Sequence, residues 1–352
     1  MKIAITVDPD IPVPPPFYGG IERIVSMLID EYIDLGHEIT LFAHRDSVTK
    51  AKLIPYKRKS SSPKFDTLMN MVLISKEIYS GKFDIIHSFS RLAYLTLLLP
   101  LSIPKIMSYQ RQPTISQIIK ALKISYKRSL SFTGCSNYIS YQIKPYAATS
   151  TVYNGFPEDT YQLSENIEED APLVFLGRIE PIKGTHHAIK IALGSRKNLI
   201  IAGNIPTEYQ TYYQNSIAPY IDNKQIFYIG AVNDIQKARI LKSAIALLMP
   251  IDWDEPFGIV MVEAMACGTP VIALARGAAP EIVKNGTTGY LCKNIDECIE
   301  KVAIVGQLNR AFIREEAVIR FGSKIIANNY LDLYEKCISQ AKVKKHPNGL
   351  KL

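Results

Sequence analysis

Short apolar runs alternate with amphipathic stretches from one end of the chain to the other. In the first half the runs are KIAITV, EITLFA, DIIHS, PKIMSY, SFTGC and STVYN, and in the second PLVFLG, NLIIAG, QIFYIG, AIALLMP, PVIAL and TGYLC. Parallel strands joined by crossover helices need this alternation, because each return across a sheet face is made by a helix. The rhythm restarts midway, and 352 residues exceed what one ordinary core holds, so two open α/β sheets in series are expected.

The polar, acidic segment NGFPEDTYQLSENIEEDAP (154–172) lacks apolar periodicity and reads as the interdomain linker. The expected domains are residues 1–155 and 156–322. A helical pattern runs from Phe312 to Val343, and Gly322 is the expected kink from which a helix over about 323–345 returns to complete the first domain. The segment KVKKHPNGLKL reads as a frayed tail. Two domains imply a cleft, and in open α/β sheets ligands sit beyond the carboxyl ends of the strands.

Composition narrows the class. A 47% hydrophobic and 21% charged chain is globular. The five cysteines are odd in number and never in a CxxC pair, which speaks against a disulfide framework or a zinc site and for a reducing cytoplasm. The N-terminus MKIAITVDPD meets an aspartate too early for a signal peptide. The longest apolar-rich run, 92–104, has 13 residues broken by Pro100 and is too short to span a bilayer.

Net charge is +8, and residues 1–155 hold all of the excess, with 19 Lys+Arg against 11 Asp+Glu. Basic clusters at 50–59 and 120–128 suggest an anionic partner, such as the inner membrane face approached peripherally, or a phosphorylated lipid acceptor. A solvated basic face is the alternative. No recognition helix, zinc finger or RNP pattern accompanies the charge, so nucleic acid is not expected.

Three segments carry chemistry. After the first strand a proline-rich loop ends at Gly19 and Gly20, and an amphipathic helix follows. Glycines there let the backbone approach a ligand, and the free amides of the helix start suit a phosphate, although an ordinary strand-to-helix turn uses the same residues. In FLGRIEPIKG, Arg178 and Lys183 stand just beyond a strand end, where two cations would meet a diphosphate. A solvated basic pair is again the alternative.

In EPFGIVMVEAMACGTPVIA, Glu255 lies in a loop and Glu263 eight positions later lies inside an apolar helix. The amides of Phe257, Gly258 and Ile259 would open as an anion nest at the helix start. Glu255 suits a sugar hydroxyl, and Glu263 suits the vicinal diol of a ribose, since a carboxylate accepts two hydroxyl hydrogen bonds. A carboxylate in so apolar a helix needs a partner in any case.

In order along the chain, GGIE (19–22), DIIH (84–87), GCS (134–136), NG (154–155), GRIEPIKG (177–184), EPFGIVMVEAMACGTPVIA (255–273) and PEIVKNGTTGYL (280–291) resemble the family-4, or group 1, retaining glycosyltransferases. The resemblance implies the GT-B fold, an α/β architecture of two Rossmann-like, doubly wound parallel-sheet domains facing a cleft. The N-terminal domain would take the acceptor and the C-terminal one the nucleotide sugar. It also implies that Gly20 faces the donor diphosphate and that Arg178 and Lys183 neutralise it. Glu255 and the following amides would orient the sugar, and Glu263 would grip the ribose.

Family members use no metal, and the six histidines show no ligand-spaced cluster, so neither metal nor other cofactor is expected; the nucleotide sugar is substrate. His87, ending DIIHS, either approaches the sugar or acceptor or is a satisfied core histidine. Relatives often carry a second histidine two positions on, where this chain has Phe89, and their Thr-x-His-Gly is replaced by SYQRQ (108–112), with Arg111 nearby. Acceptor chemistry is expected to differ accordingly.

The function expected is transfer of a hexosyl group, with retention, from a UDP- or GDP-sugar to a lipid-linked or polysaccharide acceptor, as in polysaccharide biosynthesis. The rivals are a catalytically silent nucleotide-sugar-binding subunit and another GT-B enzyme, such as a sugar-nucleotide epimerase or a phosphorylase; nothing marks the pyridoxal lysine a phosphorylase needs.

Overall fold

A computed structural model describes residues 1–343; the segment read as a frayed tail lies almost wholly outside them. The chain forms two compact units, one of Met1–Asn154 with the chain from Ser323 onward, the other of Gly155–Gly322.

The first unit runs β1 (Lys2–Thr6), α1 (Gly20–Asp34), β2 (Glu38–Ala43), β3 (Lys52–Pro55), α2 (Lys64–Gly81), β4 (Ile85–Ser88), β5 (Lys105–Tyr109), α3 (Ile115–Ile124), β6 (Leu130–Gly134), α4 (Asn137–Ile143) and β7 (Thr149–Thr151). Its strands are parallel in the order β3-β2-β1-β4-β5-β6-β7. The order reverses between β1 and β4, where Thr6 pairs with Ser88, and this is the switch point of a doubly wound sheet. The central strands are buried on both faces, which is why they read as continuous apolar runs. The strand β3 escapes the sequence pattern because it is an edge strand inside the basic cluster, with Lys52 and Pro55 exposed.

The second unit runs β8 (Leu173–Leu176), α5 (Thr185–Ser195), β9 (Leu199–Ala202), α6 (Gln210–Ser216), β10 (Ile226–Tyr228), α7 (Asp234–Ser243), β11 (Ala246–Met249), α8 (Ile259–Ala266), β12 (Val271–Leu274), α9 (Ala279–Ile282), β13 (Gly289–Cys292), α10 (Ile295–Val302) and α11 (Arg310–Phe321). Its parallel order, β10-β9-β8-β11-β12-β13, reverses between β8 and β11. On one face of this sheet Leu173, Ile201, Leu248 and Ile272 point the same way and form one core with Ala188 and Ile191 of α5 and Cys298 and Val302 of α10.

The helical stretch expected across 312–343 is two helices. Gly322 is extended, with φ −60° and ψ 145°, and bridges to Phe156; α12 (Ser323–Val343) then starts afresh and belongs to the first unit. There Tyr330 and Tyr334 are wholly buried, and the Tyr334 hydroxyl lies 3.1 Å from that of Tyr32.

The segment 154–172 is a packed strap rather than a free linker. Phe156 and Tyr161 are wholly buried, and Ser164 donates its amide to the Cys267 carbonyl. Two aromatics in a polar run have no periodicity for a sequence pattern to catch. Among the described residues no helix is long and apolar enough to cross a membrane.

Candidate active site

In the second unit the loop after β8 begins with Gly177 and Arg178 and tightens into a 3₁₀ turn over Pro181–Lys183. Gly184 ends the turn at φ +74°, and a Cβ there would stand 1.9 Å from the Pro250 carbonyl oxygen. The backbone after β8 is thereby pressed against the backbone after β11, at the strand ends where the sheet order reverses.

This close approach delivers Lys183 to Glu255. Lys183 Nζ donates to Glu255 Oε2 at 2.6 Å, and the Trp253 indole N–H donates to the same oxygen at 2.7 Å. Lys183 Nζ also lies 5.1 Å from the centroid of a Trp253 ring, a cation–π distance. Behind them Glu255 accepts at its backbone carbonyl from Ala278 N–H at 2.9 Å. Gly277, at φ +53°, leaves no room for a Cβ, which would meet Glu255 N and O at 2.5 Å. Arg178 pairs with the buried carboxylate of Glu180 at 2.9 Å and keeps a third of its side chain exposed.

The loop continues through buried Phe257, whose ring meets that of Phe321 at 6.0 Å. Gly258, at φ +83°, caps α8, so Ile259 is its first residue. The amides from Phe257 to Ile259 therefore stand at a helix start, ahead of any intrahelical partner.

Glu263 sits one turn further on and is held by different residues. Its Oε1 accepts from Tyr161 Oη at 2.8 Å and from Lys237 Nζ at 2.6 Å, and its side chain is only 2% exposed. These are the partners that a carboxylate in the apolar helix α8 requires. Sequence reasoning missed Trp253, Tyr161 and Lys237. Trp253, two residues before Glu255, was the one within reach of motif reading; Tyr161 and Lys237 come from segments 102 and 26 residues away.

In the first unit Gly19, at φ +148°, caps α1 and Gly20 opens it. A Cβ on Gly19 would lie 2.6 Å from Pro15 and 3.0 Å from Glu22 Oε2. The helix start thus already has a carboxylate beside it. Burial raises the pKa of Glu22 to about 7, and the nearby Asp8 and Asp10 add to the rise.

His87 takes the structural alternative. It is wholly buried, its Nδ1 lies 2.5 Å from Tyr334 Oη and its Nε2 2.6 Å from Ser108 Oγ, and the Phe89 ring stands 4.1 Å away. Both ring nitrogens are engaged within the core, and burial lowers its pKa to about 3. The expectation that it lines a cleft is corrected accordingly: α12, distant in sequence, covers it.

Arg111 reaches Asp8 at 3.4 Å and, with Ser61, Lys64, Arg91, Tyr109 and Gln112, lines a cavity of about 510 Å³ in the first unit. The histidines, scattered by sequence spacing, are not all scattered in space: His186, His187 and Asp252 place their ligating atoms within 4.8 Å of one another.

Residues 158–310, nearly the whole second unit, match the family model "Glycosyl transferases group 1". The chain is 24% identical to the putative glycosyltransferase YtcC of Bacillus subtilis (strain 168), covering 90% of this chain and 84% of YtcC. It is also 24% identical to the phosphatidyl-myo-inositol mannosyltransferase of Mycolicibacterium smegmatis, over 94% of this chain and 93% of that protein. Among solved structures, HepE of Anabaena in complex with UDP-glucose superposes with a TM-score of 0.72 at 18% identity, over 96% of this chain and 100% of HepE.

Two doubly wound parallel sheets in one chain, superposing on glycosyltransferases of known structure, are the GT-B fold. The protein is a glycosyltransferase, and its second unit carries the match to the glycosyltransferases of group 1.

Proposed function

We propose that the protein transfers a hexosyl group from a UDP- or GDP-sugar to a lipid-linked or polysaccharide acceptor, with retention of configuration, as a family-4 enzyme. The observation that carries this reading is the Lys183–Glu255–Trp253 cluster at the β8/β11 switch point, within the group 1 domain. A diphosphate drawn to Lys183 and Arg178 exchanges the carboxylate partners of those cations for phosphate oxygens. Glu255, freed of Lys183, orients a sugar hydroxyl while Trp253 keeps its carboxylate in place. The amides of Phe257, Gly258 and Ile259 take part of the donor's negative charge. Glu263 grips the ribose with the carboxylate that Tyr161 and Lys237 hold in place.

Attack occurs on the face from which the diphosphate departs, and the departing phosphate oxygen takes the acceptor proton, so no protein nucleophile is assigned. The protein supplies position and positive charge to the leaving group, with no metal required. The Arg91- and Arg111-lined cavity of the first unit takes the acceptor.

The HepE complex supports a UDP-sugar donor, and the relative named for transfer to phosphatidyl-myo-inositol supports a lipid acceptor. Membrane contact is peripheral, through α3, which exposes Ile119 and Ile124 beside Lys120 and Lys123.

Titration calorimetry with UDP, GDP and ADP in the presence of a chelator tests the donor reading. One of them is expected to bind, and binding of none sinks it. A screen of sugar donors by slow hydrolysis then names the sugar. Anomeric couplings of the product decide retention, and binding to anionic vesicles that salt abolishes is the expected membrane behaviour.

A further inference from the structure

The start of α5 and the loop after β11 hold a second cluster, which shares that loop with Trp253 and Glu255 but uses neither side chain. Consecutive residues on an α-helix point about 100° apart and ordinarily do not converge. Here the rings of His186 and His187 stand 4.0 Å apart at an interplanar angle of 42°, and His187 Nε2 lies 2.8 Å from Asp252 Oδ2. The ligating atoms of all three residues lie within 4.8 Å of one another.

Two imidazoles and a carboxylate are the donor set of zinc and its neighbours in the first transition row. Around an ion with tetrahedral bonds of 2.0–2.1 Å the ligand atoms are roughly 3.4 Å apart, so side-chain rotation is enough to close the set.

The backbone beneath the three is already tied together. Asp252 N–H donates to the Ile182 carbonyl at 3.0 Å, and Gly184 packs on Pro250. The Tyr212 hydroxyl, 2.8 Å from His186 Nδ1, orients that ring from behind, as outer-shell partners of metal ligands do. Partial exposure of His187 and Asp252, at 24% and 43%, leaves a route for an ion and room for a water as fourth ligand. Arg276 Nη1, 3.8 Å from Asp252 Oδ1, is the group an ion must compete with.

We propose that His186, His187 and Asp252 form a binding site for a divalent transition metal of the zinc type, which fastens the start of α5 to the loop that carries Trp253 and Glu255. Asp252 precedes Trp253 directly, so a bound ion restrains the segment that presents the indole to Glu255. The ion acts on loop order and takes no part in glycosyl transfer, and the site stands or falls independently of the donor reading.

The test uses the full chain without an affinity tag, stripped with a chelator and titrated with cobalt(II). The expected result is one equivalent bound, with the visible absorption of tetrahedral cobalt on nitrogen and oxygen ligands, zinc displacing cobalt, and a raised melting temperature. His187→Gln and Asp252→Asn should each weaken binding by roughly tenfold or more while circular dichroism shows the fold retained. If either variant fails to fold, paramagnetic shifts in the unaltered protein decide: they should cluster on residues at the start of α5 and around Asp252. No cobalt bound, thiolate-to-cobalt charge transfer marking cysteine ligands, shifts centred elsewhere, or unchanged affinity in either folded variant would each overturn the proposal.

Discussion

Glu22 and Glu263 are both buried carboxylates, and their surroundings give them opposite characters. Glu263 is compensated by Lys237 at 2.6 Å, whereas Glu22 has Asp8 and Asp10 for neighbours and a pKa near 7. A folded-state pKa above the ordinary 4.5 means that the native state binds the proton more tightly. The stability from Glu22 is thus fully present below pH 4.5 and lost as pH rises through about 7. Glu22→Gln should therefore leave stability unchanged at pH 4 and raise it at pH 8 by on the order of 2–4 kcal/mol, read from denaturant midpoints at the two pH values. A lower stability of the variant at pH 8 would contradict this. His87 runs the other way: with its pKa depressed to about 3, it contributes stability that is present above pH 6.5 and lost as pH falls. For the Glu263 pair, Lys237→Met should destabilise by about 3 kcal/mol by leaving a buried charge uncompensated. Adding Glu263→Leu should restore most of that loss. If Glu263 holds the ribose, the restored double variant should still bind nucleotide more weakly by about 1.5–3 kcal/mol; wild-type affinity in calorimetry would remove Glu263 from the donor site.

At the scale of elements, the lysine–glutamate cluster depends on the close backbone approaches at Gly184 and Gly277, and Gly286 is a control for the first of them. Gly184 and Gly286 both have positive φ, at +74° and +75°, but a Cβ on Gly184 meets the Pro250 carbonyl oxygen at 1.9 Å while one on Gly286 meets nothing within 4 Å. Gly286→Ala should cost only the left-handed backbone penalty of about 1 kcal/mol. Gly184→Ala should cost more, about 2–4 kcal/mol, because the backbone after β8 or β11 must also shift. The shift draws Lys183 away from Glu255, so if the proposed donor site is correct, nucleotide affinity should fall in Gly184→Ala and hold in Gly286→Ala. Equal melting temperatures for the two variants would mean that the close approach is unimportant. The motif GRIEPIKG pointed to Lys183 and to a strand-end loop. That the glycine ending the motif is the contact surface for another loop became visible only from the backbone of Pro250.

For the whole molecule, the chain leaves its first unit after Asn154 and returns to it at Ser323, so the two units differ in how they tolerate truncation. Residues 155–322 contain a closed core of their own and should unfold cooperatively when expressed alone. Residues 1–154 lack Tyr330 and Tyr334, which cover His87 and Tyr32, and should yield an expanded, poorly cooperative chain unless α12 is supplied; cooperative thermal unfolding of that fragment alone would show the inference wrong. By itself the sequence determined the periodic part of this protein: the parallel strands of both sheets, apart from the edge strand β3, and the loops at their ends that hold Arg178, Lys183 and Glu255. Strand positions and strand-end loops are local, because apolar runs and turn residues act within a few positions of one another. Tertiary structure decided the rest: Tyr161 and Lys237 as partners of Glu263, α12 as the lid on His87, and the meeting of His186 and His187 with Asp252. Those contacts join segments 26 to 247 residues apart. No periodicity records such a pairing, since it exists only once the sheets bring the segments together.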